Sequence, residues 1–191
     1  FLAGDASFRR YARIQLNNKT FMLMDAPPEK EDCAPFVKID EFFDLHGVRV
    51  PHIIAKDLQL GFLLLEDFGD VLLSSLLNAE TVDRYYQQCF KQLVQLQAIQ
   101  NHADLPAYSY EKLCSEMHLL TEWLLPALHV LPTAEETQVI EQAFDFLANA
   151  ALAQPQVIVH RDFHSRNLMK LADQDELGVI DFQDAVIGAD T

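Results

Sequence analysis

Outside residues 35 to 47 the chain alternates like a small sheet up to about residue 66, and from Gly69 to about residue 155 its apolar residues recur at every third or fourth position. That change of period restricts the chain to a sheet-bearing part followed by a helical part. "YARIQL" (11 to 16) and "FMLMDA" (21 to 26), separated by "NNKT", predict a β-hairpin. "IIAKDL" (53 to 58) and "GFLLLED" (61 to 67), joined through Asp57 to Gly61, predict a second. Between the hairpins, "PFVKIDEFFDLHG" (35 to 47) sets Phe36, Ile39, Phe42, Phe43 and His46 on one helical face and ends on Gly47, a common helix stop.

Beyond Gly69, the spacing of Val82, Tyr85, Tyr86, Cys89, Phe90, Leu93, Val94 and Leu96 predicts a helix over 81 to 102 that buries one broad face. A second helix is expected over about 110 to 128, disturbed near its end by Pro126. A third begins at Thr133, where Glu136 three residues on completes a capping box, and ends near Pro155. Then "VIVHR", a polar loop, "NLMKLA", a turn from Asp173 to Glu176 and "LGVIDF" predict a short strand, a loop and a hairpin. The expected fold class is α+β, with a β-rich N-lobe over 1 to 66, a mainly helical C-lobe over 67 to 191, and a ligand cleft between them.

Charge removes two classes of partner. Fourteen basic residues against twenty-nine acidic ones give a formal charge of -15, which repels the phosphates of nucleic acid and of anionic membrane. Solubility accounts for such acidity, and a cationic substrate is the other reading. Cys33, Cys89 and Cys114 are odd in number and lack a C-x-x-C spacing, so they read as reduced core thiols of a cytoplasmic protein. No apolar run reaches the roughly 18 residues of a membrane span, and no leader pattern opens the chain. The chain starts at Phe1 and stops at Thr191 soon after an apolar strand, so both ends are expected to be cuts and the C-lobe incomplete.

"VIVHRDFHSRNLM" (157 to 169) brings His160, Arg161, Asp162, His164, Arg166 and Asn167 to the end of an apolar strand. Three readings compete: a metal site, a polar turn, and a centre for group transfer. The alternation His160, Asp162, His164 suits a metallohydrolase, but such a site needs further ligands and no second cluster appears. Group transfer gains from Asp181 in "VIDFQD", fourteen residues after Asn167. Phosphoryl transfer requires an acceptor hydroxyl held in line and metal ions bridging the phosphates. Asp162 would take the hydroxyl proton, while Asn167 and Asp181 would offer a neutral and a charged oxygen to Mg²⁺.

The fixed polar positions of H-R-D-F-H-S-R-N match the H-R-D-L-x-x-x-N loop of protein kinases, with Asp181 where those enzymes carry D-F-G. Together with "IDFQD", and with His164, the loop resembles the aminoglycoside phosphotransferase and choline kinase superfamily, whose loop reads H-G-D-x-H-x-x-N. More narrowly, "GDASFRRYARI", "LMDAPPEKEDCAPFV", "GFLLLEDFG" and "GVIDFQDAVIG" are similar to bacterial cell-wall sugar kinases that phosphorylate N-acetylmuramate and N-acetylglucosamine at the anomeric hydroxyl. The resemblance runs from Gly4 to Gly188 and implies a protein-kinase-like two-lobed fold, ATP and Mg²⁺ as cofactors, and a small-molecule sugar substrate. It implies Asp162 as catalytic base, Asn167 and Asp181 as metal ligands, and His160, His164 and Arg166 in support. Glu66, Asp67 and Phe68 fall at the hinge, where backbone would meet adenine.

Two departures stand out. "GDASFRRY" replaces the glycine-rich loop, leaving Gly4, Ala6, Ser7 and the adjoining Phe8 to bring backbone N–H groups toward phosphate. "FMLMD" carries no lysine for the phosphates, and Arg10 is the expected substitute, on the strand face shared with Ala12, Ile14 and Leu16, whereas Arg9 shares the other with Tyr11 and Arg13. Glu41 reads as a surface carboxylate, and Trp123 as core packing. The competing functions are an aminoglycoside- or choline-type phosphotransferase and a nucleotide-binding pseudokinase.

Overall fold

A computed structural model describes residues 8–100, 105–172 and 176–190. The chain groups into two compact units, one running to Leu96 and including His160–Ala185, the other made of Gln97–Val159 and the residues from Val186 onward. This grouping differs from a division at residue 66, because the polar loop and its hairpin cluster with the sheet.

In the first unit, β1 (Arg10–Leu16), β2 (Lys19–Asp25), β3 (Ile53–Asp57) and β4 (Phe62–Glu66) form an antiparallel sheet of order β1-β2-β4-β3. The first turn is tighter than "NNKT" suggests. Asn17 and Asn18 alone make it, both at positive φ, and Lys19 and Thr20 join the strand. Such a two-residue turn matches strand twist, and asparagine tolerates the left-handed backbone it requires. Tyr11 lies opposite Met24 and Met24 opposite Leu63, so these three share a face, and Met24 and Leu63 are fully buried. Gly61 closes the second hairpin at φ +73°, where an added Cβ would sit 2.0 Å from the Ala26 carbonyl oxygen.

Helix α1 (Ala34–Leu45) carries Pro35 in its first turn and stops at Gly47, φ +76°. It buries Phe36, Val37, Ile39, Phe43 and, unexpectedly for its charge, Asp40. Helix α2 (Val82–Gln97) is shorter than its apolar pattern, and of the face expected to be buried only Cys89 and Leu96 are enclosed, while Phe90 and Val94 are exposed. The other hairpin of this unit pairs β6 (Leu168–Lys170) with β7 (Leu177–Val179); its expected turn falls partly on residues 173 to 175, outside those described.

In the second unit, α3 (Tyr110–Met117) is capped by Ser109, whose side chain accepts from the Lys112 N–H. The helix expected to reach residue 128 is interrupted: a π-helical turn spans Leu120–Leu124, and α4 (Leu125–Ala127) follows with Pro126 inside it. Proline has no N–H to give and crowds the preceding turn, so the hydrogen-bond register shifts just before it. Trp123 lies on that turn and is 71% exposed, which corrects the expectation of core packing. Helix α5 (Ala134–Leu152) starts as expected, with the reciprocal Thr133–Glu136 capping box. Strand β5 (Gln156–Val159) pairs with β8 (Val186–Ala189), a partnership across some thirty residues that local pattern does not announce. Among the described residues no helix is long and apolar enough to cross a membrane.

Candidate active site

Within the first unit, the loop that follows β5 is built on His160. Its imidazole is buried, and burial depresses its pKa, against the opposing pull of a hydrogen bond to the Ile180 carbonyl. The Asp162 N–H donates to Nδ1 at 3.3 Å, so the proton sits on Nε2, which donates to the Ile180 oxygen at 3.1 Å. One neutral ring therefore ties the start of the loop to the residue before Asp181. The His164 N–H donates to the Asp162 carbonyl and the Asn167 N–H to the His164 carbonyl, which winds the loop back onto itself. The Ile180 N–H then donates to the Asn167 carbonyl at 3.0 Å, joining the two segments again.

Those bonds bring the three expected residues together. The Asn167 side-chain amide donates to the Asp162 carbonyl at 3.0 Å and to the Asp181 carboxylate at 3.1 Å. The second Asp181 oxygen accepts from the Gln183 amide at 2.9 Å, a contact that the i, i+2 spacing in "DFQD" foreshadows. Arg161 and Asp181 both adopt positive φ, +76° and +61°, strained conformations for side-chain-bearing residues that a well-tied framework must maintain. Asp162 and Asp181 are exposed, so a bound molecule can reach both. His164 and Arg166 are exposed as well, and Arg161 lies 3.8 Å from Asp184.

Phe182 anchors Asp181 from behind. It is fully buried, with ring centroids 5.0 Å from Phe36 and 5.8 Å from Phe43, both on α1. Gly178 on β7 allows the Phe68 ring to close in, since a Cβ there would be 2.3 Å from it. Phe68 also lies under the Arg49 guanidinium at 4.6 Å. Arg49 in turn holds both oxygens of Glu66; burial opposes the Glu66 charge, but these bonds outweigh it and hold its pKa below the usual range. Asp67 is likewise lowered, against its burial, by Arg13, which also grips Asp70. The Glu66 and Asp67 carboxylates are therefore both occupied by arginines. Arg49 was not foreseen, because seventeen residues separate it from Glu66 and no motif links them.

Of the remaining expected residues, Ser7 lies outside the described residues. Phe8 is exposed, with the Lys30 ammonium 5.3 Å from its ring centroid. Arg10 is 59% exposed, pairs with Asp25, and lies on the sheet face opposite Tyr11, away from the buried Met24 and Leu63. Glu41 is a surface carboxylate paired with Lys56, as expected. Among the described residues no three His, Cys, Asp or Glu side chains converge as a metal site, so the H-x-D-x-H alternation does not build a zinc-type cluster. Asn167 sets its amide beside the Asp181 carboxylate, and the oxygens of these two side chains are of the kind a hard divalent cation with few protein ligands takes. Coordination requires the Asn167 amide to present its oxygen, a half-turn of one side-chain torsion.

Comparison with known proteins supplies the family. A family profile described as the phosphotransferase enzyme family matches residues 1–189, and the chain belongs to that family. Over 187 residues it is 41% identical to an N-acetylmuramate/N-acetylglucosamine kinase of Pseudomonas putida, covering 97% of this chain and 55% of that protein. A kinase of the same description from Neisseria meningitidis is 37% identical over 194 residues, covering 98% of this chain and 57% of its own length. The chain thus spans little more than half of the curated relatives it matches. Among solved structures, an aminoglycoside-3'-phosphotransferase of type VIII superposes with a TM-score of 0.67 at 14% identity, over 100% of this chain and 72% of that one. The ternary complex of streptomycin, ATP and APH(2")-IIa gives 0.62 at 18% identity, over 95% and 68%. The fold is accordingly the kinase-like fold of the aminoglycoside phosphotransferases.

Proposed function

We propose that this chain is the nucleotide-binding and catalytic part of an ATP-dependent sugar kinase, which phosphorylates the anomeric hydroxyl of N-acetylmuramate or N-acetylglucosamine in peptidoglycan recycling. The observation that carries the reading is the meeting of Asp162, Asn167 and Asp181 through one amide, at 3.0 and 3.1 Å. Asp162 accepts the proton of the acceptor hydroxyl, and the strained, tied loop keeps its carboxylate where that hydroxyl arrives. Asn167 and Asp181 would hold Mg²⁺, whose charge, when bound, offsets that of the phosphates. Backbone at 66–68, immobilised through Arg49 and Arg13, meets the adenine edge, in a division into lobes near residue 66. His160 keeps the two segments in register while remaining neutral. The relatives' printed activity supports the acceptor, and three cysteines without a disulfide support a cytoplasmic setting.

Supplying ATP with N-acetylmuramate, N-acetylglucosamine, kanamycin or choline tests the acceptor; turnover of the two cations alone overturns the sugar assignment in favour of an aminoglycoside- or choline-type enzyme. Asp162→Asn tests the base. It is expected to lower turnover by about 10² or more, whereas a nucleotide-binding pseudokinase shows no turnover in the unaltered protein.

A further inference from the structure

We infer that Arg9 supplies the positive charge that meets the nucleotide phosphates, with Glu31 positioning its guanidinium. The inference rests on the kinase reading and concerns a single gap in it: "FMLMD" has no lysine for the phosphates.

Strand alternation leaves β1 two faces, and burial distinguishes them. Tyr11 and Arg13 share the face of Met24 and Leu63, and by the same alternation Arg9, immediately before the strand, points that way too. Arg10 takes the other face, at Asp25. On the enclosed face Arg13 is engaged by Asp67 and Asp70 at the hinge. Arg9 is only 11% exposed at its side chain, with an N–H 2.5 Å from Glu31 and its guanidinium carbon 5.7 Å from the Phe36 ring centroid. Phe36 packs at 5.0 Å on Phe182, the residue following Asp181. Arg9 is therefore linked, through the Phe36–Phe182 pair, to the residue that adjoins Asp181. Tyr11, bonded to Arg9, reports the same proximity: burial chiefly raises its pKa, and the charge of Asp181 adds to the rise.

A guanidinium carries five N–H donors in a planar fork, enough to serve a carboxylate and a phosphate together. Glu31 and the Phe36 face fix the plane of that fork, which reduces the entropy lost when phosphate binds. Arg9 with Glu31 thus performs the work of a strand lysine and its helix glutamate, from just before β1, beside the Asp25 end of β2.

The test compares ADP with adenosine, which differ only in phosphate, by isothermal titration of the unaltered protein, Arg9→Gln, Arg9→Lys and Arg10→Gln. Arg9→Gln is expected to lose about tenfold or more in ADP affinity while adenosine binding changes by less than about twofold; Arg9→Lys recovers part of the loss, and Arg10→Gln matches the unaltered protein. In the unaltered protein, ADP but not adenosine should shift the Arg9 side-chain N–H resonance, a readout independent of how any variant folds. Retained preference for ADP in Arg9→Gln, or an Arg9 resonance indifferent to ADP, overturns the inference and leaves the kinase reading standing. Failure of the unaltered protein to bind either compound overturns both.

Discussion

Asp40 offers the sharpest quantitative test of the packing. It lies on α1, 1% exposed, its Oδ2 without a hydrogen-bond partner among the described residues, with Asp44 and Glu41 adding like charge and only Lys56 opposing them. Burial first, then those neighbours, push its pKa from 3.8 up to about 8. The folded state thus keeps a proton that the unfolded chain gives up, so the stability tied to this group is complete below about pH 4 and is lost as pH rises toward 8. At about 1.4 kcal/mol per pH unit, the loss between pH 5 and pH 8 is roughly 4 kcal/mol. Asp40→Asn is nearly isosteric and cannot ionise. Any cost of its amide is independent of pH, and every other titrating group is common to both proteins. Urea unfolding followed by far-ultraviolet circular dichroism should show the variant gaining on the parent by roughly 4 kcal/mol over that range. A difference that stays constant from pH 5 to pH 8 would refute the reasoning, since it would mean that Asp40 is charged in the folded protein and satisfied.

Three further outcomes are expected. Gly178→Ala forces the Phe68 ring away from β7 and should cost roughly 1–3 kcal/mol in urea unfolding. Thr133→Ala removes the acceptor of the Glu136 N–H and should cost about 1 kcal/mol by the same measurement, with no change in nucleotide affinity. Asp181→Asn exchanges a charged oxygen for a neutral one, so the Mg²⁺ concentration giving half-maximal phosphoryl transfer should rise by about tenfold or more; an unchanged Mg²⁺ requirement would remove Asp181 from the metal site.

The candidate site was legible in the sequence because its parts are local. Asp162 and Asn167 share one tight loop, and Asp181 is one hairpin further on, so the spacing of polar residues among apolar ones already constrains how far apart they can be. Capping at Thr133 and the stop at Gly47 were readable for the same reason: each depends on backbone geometry within one turn. Family segments spread from Gly4 to Gly188 extended that local reading to the fold.

Relations between distant segments were decided only in three dimensions. Alternation along β1 separates Arg9 from Arg10, but only the packing of Met24, Leu63 and α1 determines which of the two is enclosed. Arg49 reaches Glu66 and stacks on Phe68, and β5 pairs with β8, through contacts whose partners carry no sequence signal of each other. Asp40 could not be read as buried, since its charge argues for solvent and only the apolar residues around it on α1 overrule that preference. Sequence records what each residue can do with its neighbours along the chain; which face meets which is settled by the collective burial of apolar surface, a property of no single segment.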